Sequence, residues 1–201
     1  TMSLSKYLAL DFGADSGRAI VGTIGNNGIE LKEIHRFPNR QVRVHGRIYW
    51  DFLYLFDELK KSLEKAATDG HKDVQSIGID TWGVDYGLFD NTGQLVGNPV
   101  CYRDQRTSGM MDVAFKKMSQ RDIYEHTGIQ FMEFNTIYQL LSMVQTHHPY
   151  LDSAQTLLFT PDLFHFLMTG ERRSEYTIAS TSQLLNAHAR KGEDLAGQDI
   201  A

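Results

Sequence analysis

The sequence predicts an α/β protein in which a mixed β-sheet is covered by helices. Short apolar runs bounded by turn residues fill the first half of the chain, and capped amphipathic segments fill the second. Strands first and helices later suit a mixed sheet with a helical cover. The balance of 41% hydrophobic and 22% charged residues is that of an ordinary globular chain. Its 201 residues suffice for one large domain or two small ones around a substantial core.

The first strand pair is Tyr7 to Leu10 and Ala19 to Ile24, with Gly13 and Gly17 marking the turn between them. Gly28 to Phe37 predicts a third strand, with Ile29, Leu31 and Ile34 to one side. Gln41 to Trp50 alternates around His45-Gly46 as a further hairpin. Asp51 to Asp69 is the strongest helix: Phe52, Leu55, Phe56, Leu59, Leu63 and Ala66 recur at helical spacing before the stop at Gly70. Strands are predicted at Gln75 to Asp80, Asp85 to Asp90 and Gln94 to Tyr102.

Helices follow at Ser108 to Met118 and Ser119 to His126, the second capped by Ser119 and stopped at Gly128. Another runs from Asn135 to His147 and ends at Pro149. After a short buried strand, Leu157 to Phe159, Thr160-Pro161 opens a helix to Thr169, with Gly170 as the stop. Thr177 to Asn186 is rich in hydroxyls without a clear period. Gly192 to Ala201 carries no cap or apolar anchor and reads as a cut.

Composition excludes several classes of function. The net charge of −5 and the lack of a Lys/Arg run argue against nucleic acid as a partner. No apolar run approaches a membrane span, and no signal-type segment precedes Asp11. Cys101 is the only cysteine, which points to a reducing, cytoplasmic compartment and an inert buried thiol. His147-His148 has no carboxylate or thiol at ligand spacing and reads as surface. His165 reads as an ordinary helix residue. There is neither a Walker-type lysine loop nor a nucleophile elbow.

Two stretches carry chemistry. In Asp11 to Arg18, Gly13 and Gly17 permit positive φ, so that successive N–H groups can face one concavity suited to phosphate oxygens. Ser16 adds a hydroxyl, and Arg18 can clamp a phosphate with its fork of donors. Asp11 and Asp15 make sense beside an anion once Mg²⁺ is present, because that ion takes one or two carboxylates plus substrate phosphates. The plainer alternative is a hairpin with polar turn residues. In the second stretch, Ile77 to Asp90, a strand opens into Thr81, Trp82 and Gly83. A hydroxyl, a flat apolar platform and bare backbone suit a polyol with a C–H face. The alternative places Trp82 in the core and Asp80 and Asp85 as turn caps.

Asp11-Phe12-Gly13-Ala14-Asp15-Ser16-Gly17-Arg18 together with Asp80-Thr81-Trp82-Gly83-Val84-Asp85 resembles the FGGY carbohydrate kinases. Further matches follow in order: Tyr102-Arg103-Asp104-Gln105-Arg106-Thr107, then Thr127-Gly128 with Phe134-Asn135-Thr136-Ile137-Tyr138-Gln139-Leu140. Asp162-Leu163-Phe164-His165-Phe166-Leu167 and Ser174 to Thr181 complete the pattern, so the resemblance covers nearly the whole chain.

That resemblance implies an actin-like, ribonuclease-H-like fold and an ATP-dependent sugar phosphorylation. Residues 1–201 would be the N-terminal sugar- and phosphate-binding domain, and a C-terminal kinase domain would supply the adenosine pocket and the general base. It implies a metal-side role for Asp11 near Mg²⁺, with Gly13, Ala14, Asp15, Ser16, Gly17 and Arg18 along the ATP phosphates. Thr81, Trp82, Gly83, Asp104 and Phe134 would face the sugar. The family's glycerol-specific members carry Arg-Glu where this chain has Gly83-Val84, and many relatives carry Lys where Gln139 stands. Both departures point to L-rhamnulose as the sugar. A non-catalytic sugar- or nucleotide-binding module of actin-like fold is the alternative, which turnover would distinguish.

Overall fold

The opening hairpin becomes the centre of a sheet. In the computed structural model, which describes residues 4–26 and 28–188, β1 (Ser5–Phe12) pairs antiparallel with β2 (Ser16–Gly25), in register Asp11↔Arg18. β2 pairs antiparallel with β3 (Gly28–Pro38), with a register shift between Ala19 and Ile20. A two-stranded hairpin follows, β4 (Gln41–Val44) and β5 (Arg47–Trp50), then α1 (Phe52–Thr68) and β6 (Val74–Thr81). β6 lies parallel to β1, so the sheet order is β3-β2-β1-β6 and the sheet is mixed.

Two compact units result. The first runs to Gln41 and then from Asp51 to Trp82; the second takes Val42–Trp50 and the chain from Gly83 onward.

In the first unit, strand alternation puts Leu8, Leu10, Phe12, Ala19, Val21 and Phe37 on a buried face. Helix α1 packs there against β1 and β3 and buries Phe52, Leu55, Leu59 and Ala66. Each such side chain contributes roughly 1.5–3 kcal/mol of burial. The Asp51 carboxylate accepts the Tyr54 N–H at 3.3 Å to start the helix, and Gly70 at φ +86° turns the chain out of it. The opposite face of the sheet leaves Ile29 and Leu31 69% exposed, with Ile24 and Tyr7 also open.

The second unit contains β7 (Tyr86–Phe89), a 3₁₀ turn (Gln105–Thr107), α2 (Met110–Phe115), α3 (Gln120–Thr127), α4 (Thr136–Gln145) and α5 (Tyr150–Ser153). It continues with β8 (Thr156–Phe159), α6 (Thr160–Thr169) and α7 (Tyr176–Ser180). β8 pairs antiparallel with β7, and Tyr86, Leu88, Met143, Phe159 and Ala179 share one apolar cluster. Ser119 caps α3 through the Asp122 N–H at 3.1 Å, and Gly128 at φ +67° ends it.

Several expectations change. Gln94 to Tyr102 is not a strand: it makes single bridges, Phe89↔Leu95 and Tyr49↔Val100, and goes no further. Pro99 has no N–H to give a ladder, and it serves as acceptor for the Trp50 N–H instead. The helix expected from Ser108 starts only at Met110, because Gly109 at φ +75° precedes it. Within Thr177 to Asn186 the chain forms the end of α7 and then turns. The expectation for 192–201 lies outside the described residues. Among the described residues, no helix is long and apolar enough to cross a membrane.

Candidate functional site

Each unit carries one of the two chemically suggestive stretches. In the first, residues 13–15 form the loop that joins β1 to β2. The Gly13 N–H donates to the Ser16 carbonyl at 2.9 Å. Asn39 pins the loop twice: its N–H donates to the Asp15 carbonyl at 3.0 Å and its Nδ2 to the Gly13 carbonyl at 2.9 Å.

Neither Gly13 nor Gly17 takes a positive φ, contrary to the expectation of a left-handed nest. Their need is for close approach. A Cβ on Gly13 would stand 2.9 Å from the Ser16 carbonyl oxygen, and one on Gly17 would stand 2.2 Å from the Phe37 ring.

Arg18 lies opposite Asp11 in the antiparallel register, and its Nε and Nη2 both donate to Asp11 Oδ2, at 2.8 and 2.7 Å. Both side chains remain over a third exposed. Asp11 also faces Asp80 across the parallel β1–β6 pair, so two carboxylates stand in one row at the edge of an open concavity on the sheet. Sequence closed the strand Gln75 to Asp80 on this residue, with a turn cap as the alternative, but the pairing with Asp11 was invisible there; only the strand register reveals it. Two adjacent carboxylates are a donor set suited to Mg²⁺, and the half-exposed Arg18 paired to one of them is placed to meet phosphate oxygens. Thr81 Oγ1 donates to the Trp82 carbonyl at 2.9 Å, and both residues are half-buried.

In the second unit Gly83, Val84 and Asp85 make a tight turn closed by the Asp85 N–H on the Gly83 carbonyl at 2.9 Å. Val84 holds φ +67°, a costly conformation for a β-branched residue. Its surroundings fix it from both sides. The Val84 N–H donates to Thr181 Oγ1 at 3.2 Å, and its carbonyl accepts Thr136 Oγ1 at 2.7 Å and Gln139 Nε2 at 3.2 Å. A Cβ on Gly83 would press on the Thr181 side chain at 3.1–3.3 Å.

Asp85 is fully buried and acts as a hub. Its carboxylate accepts Trp50 Nε1 at 2.6 Å, the Tyr102 N–H at 3.0 Å and Gln139 Nε2 at 3.0 Å. Gln139 Nε2 also donates to the Phe134 carbonyl at 2.9 Å, and Oε1 accepts Arg106 Nη2 at 2.5 Å. This network sets the Tyr102 and Phe134 rings 5.3 Å apart, with Trp50 6.2 Å beyond Tyr102.

Gly83 and Phe134 are both half-buried. Asp104 is buried, and its oxygens are taken up by the Ile48 N–H at 2.8 Å, the Arg106 N–H at 2.8 Å and Arg47 Nη1 at 3.2 Å. It therefore shapes the loop that carries Tyr102. Trp50 and Thr181 carry no sequence signal as partners of these residues, since both lie far along the chain from the groups they hold. Cys101 is buried as expected, and burial pushes its thiol up to about 12. His165 is exposed. Among the described residues, no group of three or more His, Cys, Asp or Glu could hold a metal ion by itself.

Residues 6–196 match the family model described as the FGGY family of carbohydrate kinases, N-terminal domain, and the chain belongs to that family. Among its relatives is a rhamnulokinase of Bacteroides thetaiotaomicron, 42% identical over 188 residues, 94% of this chain and 39% of that protein. Another is a rhamnulokinase of Halalkalibacterium halodurans, 45% identical over 94% of this chain and 40% of that protein. The chain thus spans about two-fifths of the relatives it matches. Among solved structures, a gluconate kinase from Lactobacillus acidophilus superposes with a TM-score of 0.80 at 17% identity, over 92% of this chain and 37% of that one. A ligand-bound xylulose kinase from the same organism gives 0.78 at 16% identity, over 90% and 37%. The fold is the actin-like, ribonuclease-H-like one.

Proposed function

We propose that this chain is the N-terminal sugar- and phosphate-binding part of a two-domain, cytoplasmic, ATP-dependent kinase that converts L-rhamnulose to L-rhamnulose 1-phosphate. The observation that carries this reading is identity of 42–45% to rhamnulokinases over 94% of the chain. The reaction is in-line transfer of the γ-phosphoryl group of ATP to a primary hydroxyl, driven by positioning and charge neutralisation.

Asp11, with Asp80 beside it in the strand register, would hold the divalent cation, and Gly13 to Arg18 would run along the phosphates. Bound Mg²⁺ supplies charge neutralisation on the phosphate oxygens. Arg18, now paired with Asp11, would turn to a phosphate oxygen and leave that carboxylate to the cation. Thr81, Trp82, Gly83 and Phe134 receive the sugar. Asp104 acts from behind, holding the Tyr102 loop through its buried bonds. The general base belongs to the further kinase domain. Asp85 is unsuited to that task, because its oxygens already accept three protein donors.

The test is a coupled ADP assay on a form as long as the relatives, with L-rhamnulose, xylulose and glycerol. The highest kcat/KM is expected for L-rhamnulose. A higher value for glycerol or xylulose would overturn the substrate assignment, and sugar binding without turnover would favour a non-catalytic module.

A further inference from the structure

The second unit contains a cavity of about 70 Å³ that none of Gly83, Tyr102 and Phe134 lines. Arg47 and Arg106 border it, with His148, Tyr150, Ser142 and Thr146, and no carboxylate is among its lining residues. The nearest acids in the network are already committed. Asp85 takes Trp50, Tyr102 and Gln139, and Asp104 takes the Ile48 and Arg106 N–H groups together with Arg47.

The donors are differently placed. Arg106 gives Nη2 to Gln139, bonds the Tyr86 hydroxyl and lies 5.9 Å from that ring's centroid, so two of its five N–H groups are engaged there. Arg47 reaches Asp104 with Nη1 at 3.2 Å, and its side chain remains 46% exposed. His148 Nδ1 accepts the Tyr150 N–H at 3.3 Å, which puts the proton of the neutral ring on Nε2 as a further donor. Burial, then the charges of Arg106 and Arg47, hold His148 below the ordinary histidine value. The histidine thus senses a positive field from both guanidinium groups.

We propose that this cavity binds a phosphate-type oxyanion, either as the free ion or as the head of a phosphomonoester, at a site separate from the Asp11–Arg18 hairpin. Arg47 and Arg106 supply the charge-assisted bonds, and His148 supplies a third donor. The inference does not depend on which sugar the protein phosphorylates.

Calorimetric titration tests it, using inorganic phosphate and glycerol 1-phosphate against chloride at matched ionic strength. The proteins are the parent, Arg18→Ala to silence the hairpin, and Arg47→Gln, Arg106→Gln and His148→Gln in the cavity. Saturable binding is expected to persist in Arg18→Ala and to weaken roughly tenfold or more in each arginine variant, since hydrogen bonds from a charged donor are the strong ones. Binding of both probes identifies a monoester site, and binding of inorganic phosphate alone a free-ion site. Binding that Arg18→Ala abolishes, that all cavity variants leave unchanged, or that chloride reproduces would overturn the proposal. Should Arg106→Gln lose its circular dichroism spectrum, the exposed Arg47→Gln and His148→Gln decide, with Arg47→Lys expected to restore part of the affinity.

Discussion

Gln139 presents a donor to the fully buried Asp85 and an acceptor to the half-buried Arg106. It is 1% exposed; its Nε2 faces the Phe134 carbonyl, the Val84 carbonyl and Asp85, while its Oε1 meets Arg106. Gln139→Leu keeps the volume and takes a donor from Asp85 and the Val84 and Phe134 carbonyls, and an acceptor from Arg106, all at once. Each buried polar group left alone costs roughly 1–3 kcal/mol, so a loss of about 3 kcal/mol is expected in urea unfolding. Trp50 fluorescence reports it locally, because its indole N–H sits on the same carboxylate. An unchanged unfolding midpoint would show that the network carries no weight. Arg18 is the opposite case. Its ion pair with Asp11 is over a third exposed, and pairs of that kind contribute about 0–1 kcal/mol. Arg18→Ala and Asp11→Ala are therefore expected to leave stability almost unchanged. In a form as long as the relatives, each should lower kcat by ~10²–10³, the usual effect of removing a charge-stabilising donor. Near-normal kcat in either would remove the phosphate role. At this scale the sequence showed which residue types matter but not how they are used. Gly13 and Gly17 were legible as required glycines, yet what requires them is Ser16 and Phe37 at close range, a fact of register that no local pattern holds.

Elements were most legible where capping chemistry is local. Helix α3 announces itself through Ser119, Asp122 and Gly128, and α6 through Pro161 and Gly170, because caps are read within a few residues of where they act. Gln94 to Tyr102 was misread because alternation indicates two faces but not a partner, and Pro99 removes a ladder donor. The junction of α6 and α7 hides a charge that no pattern reveals. Asp162, in the first turn of α6, is 2% exposed; one oxygen accepts the Glu175 N–H at 3.2 Å, and Oδ2 has no partner among the described residues. Burial, outweighing that bond, pushes its carboxyl up from 3.8 to about 6. A carboxyl raised in the folded state favours folding while protonated. Its contribution is thus complete below about pH 4 and lost as pH rises through about 6. The shift corresponds to about 3 kcal/mol across that window. Asp162→Asn, which cannot ionise, is expected to gain stability over the parent at pH 7.5 and to match it more closely at pH 4. Urea midpoints at the two values check this, and an equal difference at both would refute the buried, ionising Asp162.

For the whole molecule, the alternation that buries Leu8 and Leu10 under α1 also commits Tyr7, Ile24, Ile29 and Leu31 to the other face of the sheet. Sequence predicted Ile29 and Leu31 to share a side but could not say that this side would be uncovered. Contiguous exposed apolar surface of that kind drives association. The 201-residue chain is therefore expected to self-associate in size-exclusion chromatography with light scattering, and Ile29→Lys with Leu31→Glu to return it to a monomer. The same chain is expected to show no measurable sugar-dependent ADP formation with L-rhamnulose and Mg·ATP. It spans about 39% of the length of one of its relatives, and the function proposed above assigns the base and adenosine pocket to a further domain. A positioned base contributes ~10²–10⁴-fold, and orientation of the two reactants accounts for roughly 7–11 kcal/mol of a barrier. Within the chain, Asp85 is sealed behind three donors, so Asp80 is the remaining acid of the sugar-loop motif that could substitute. Robust turnover by the verified 201-residue chain that disappears in Asp80→Asn would place the base on β6 and reassign that carboxylate from metal to proton.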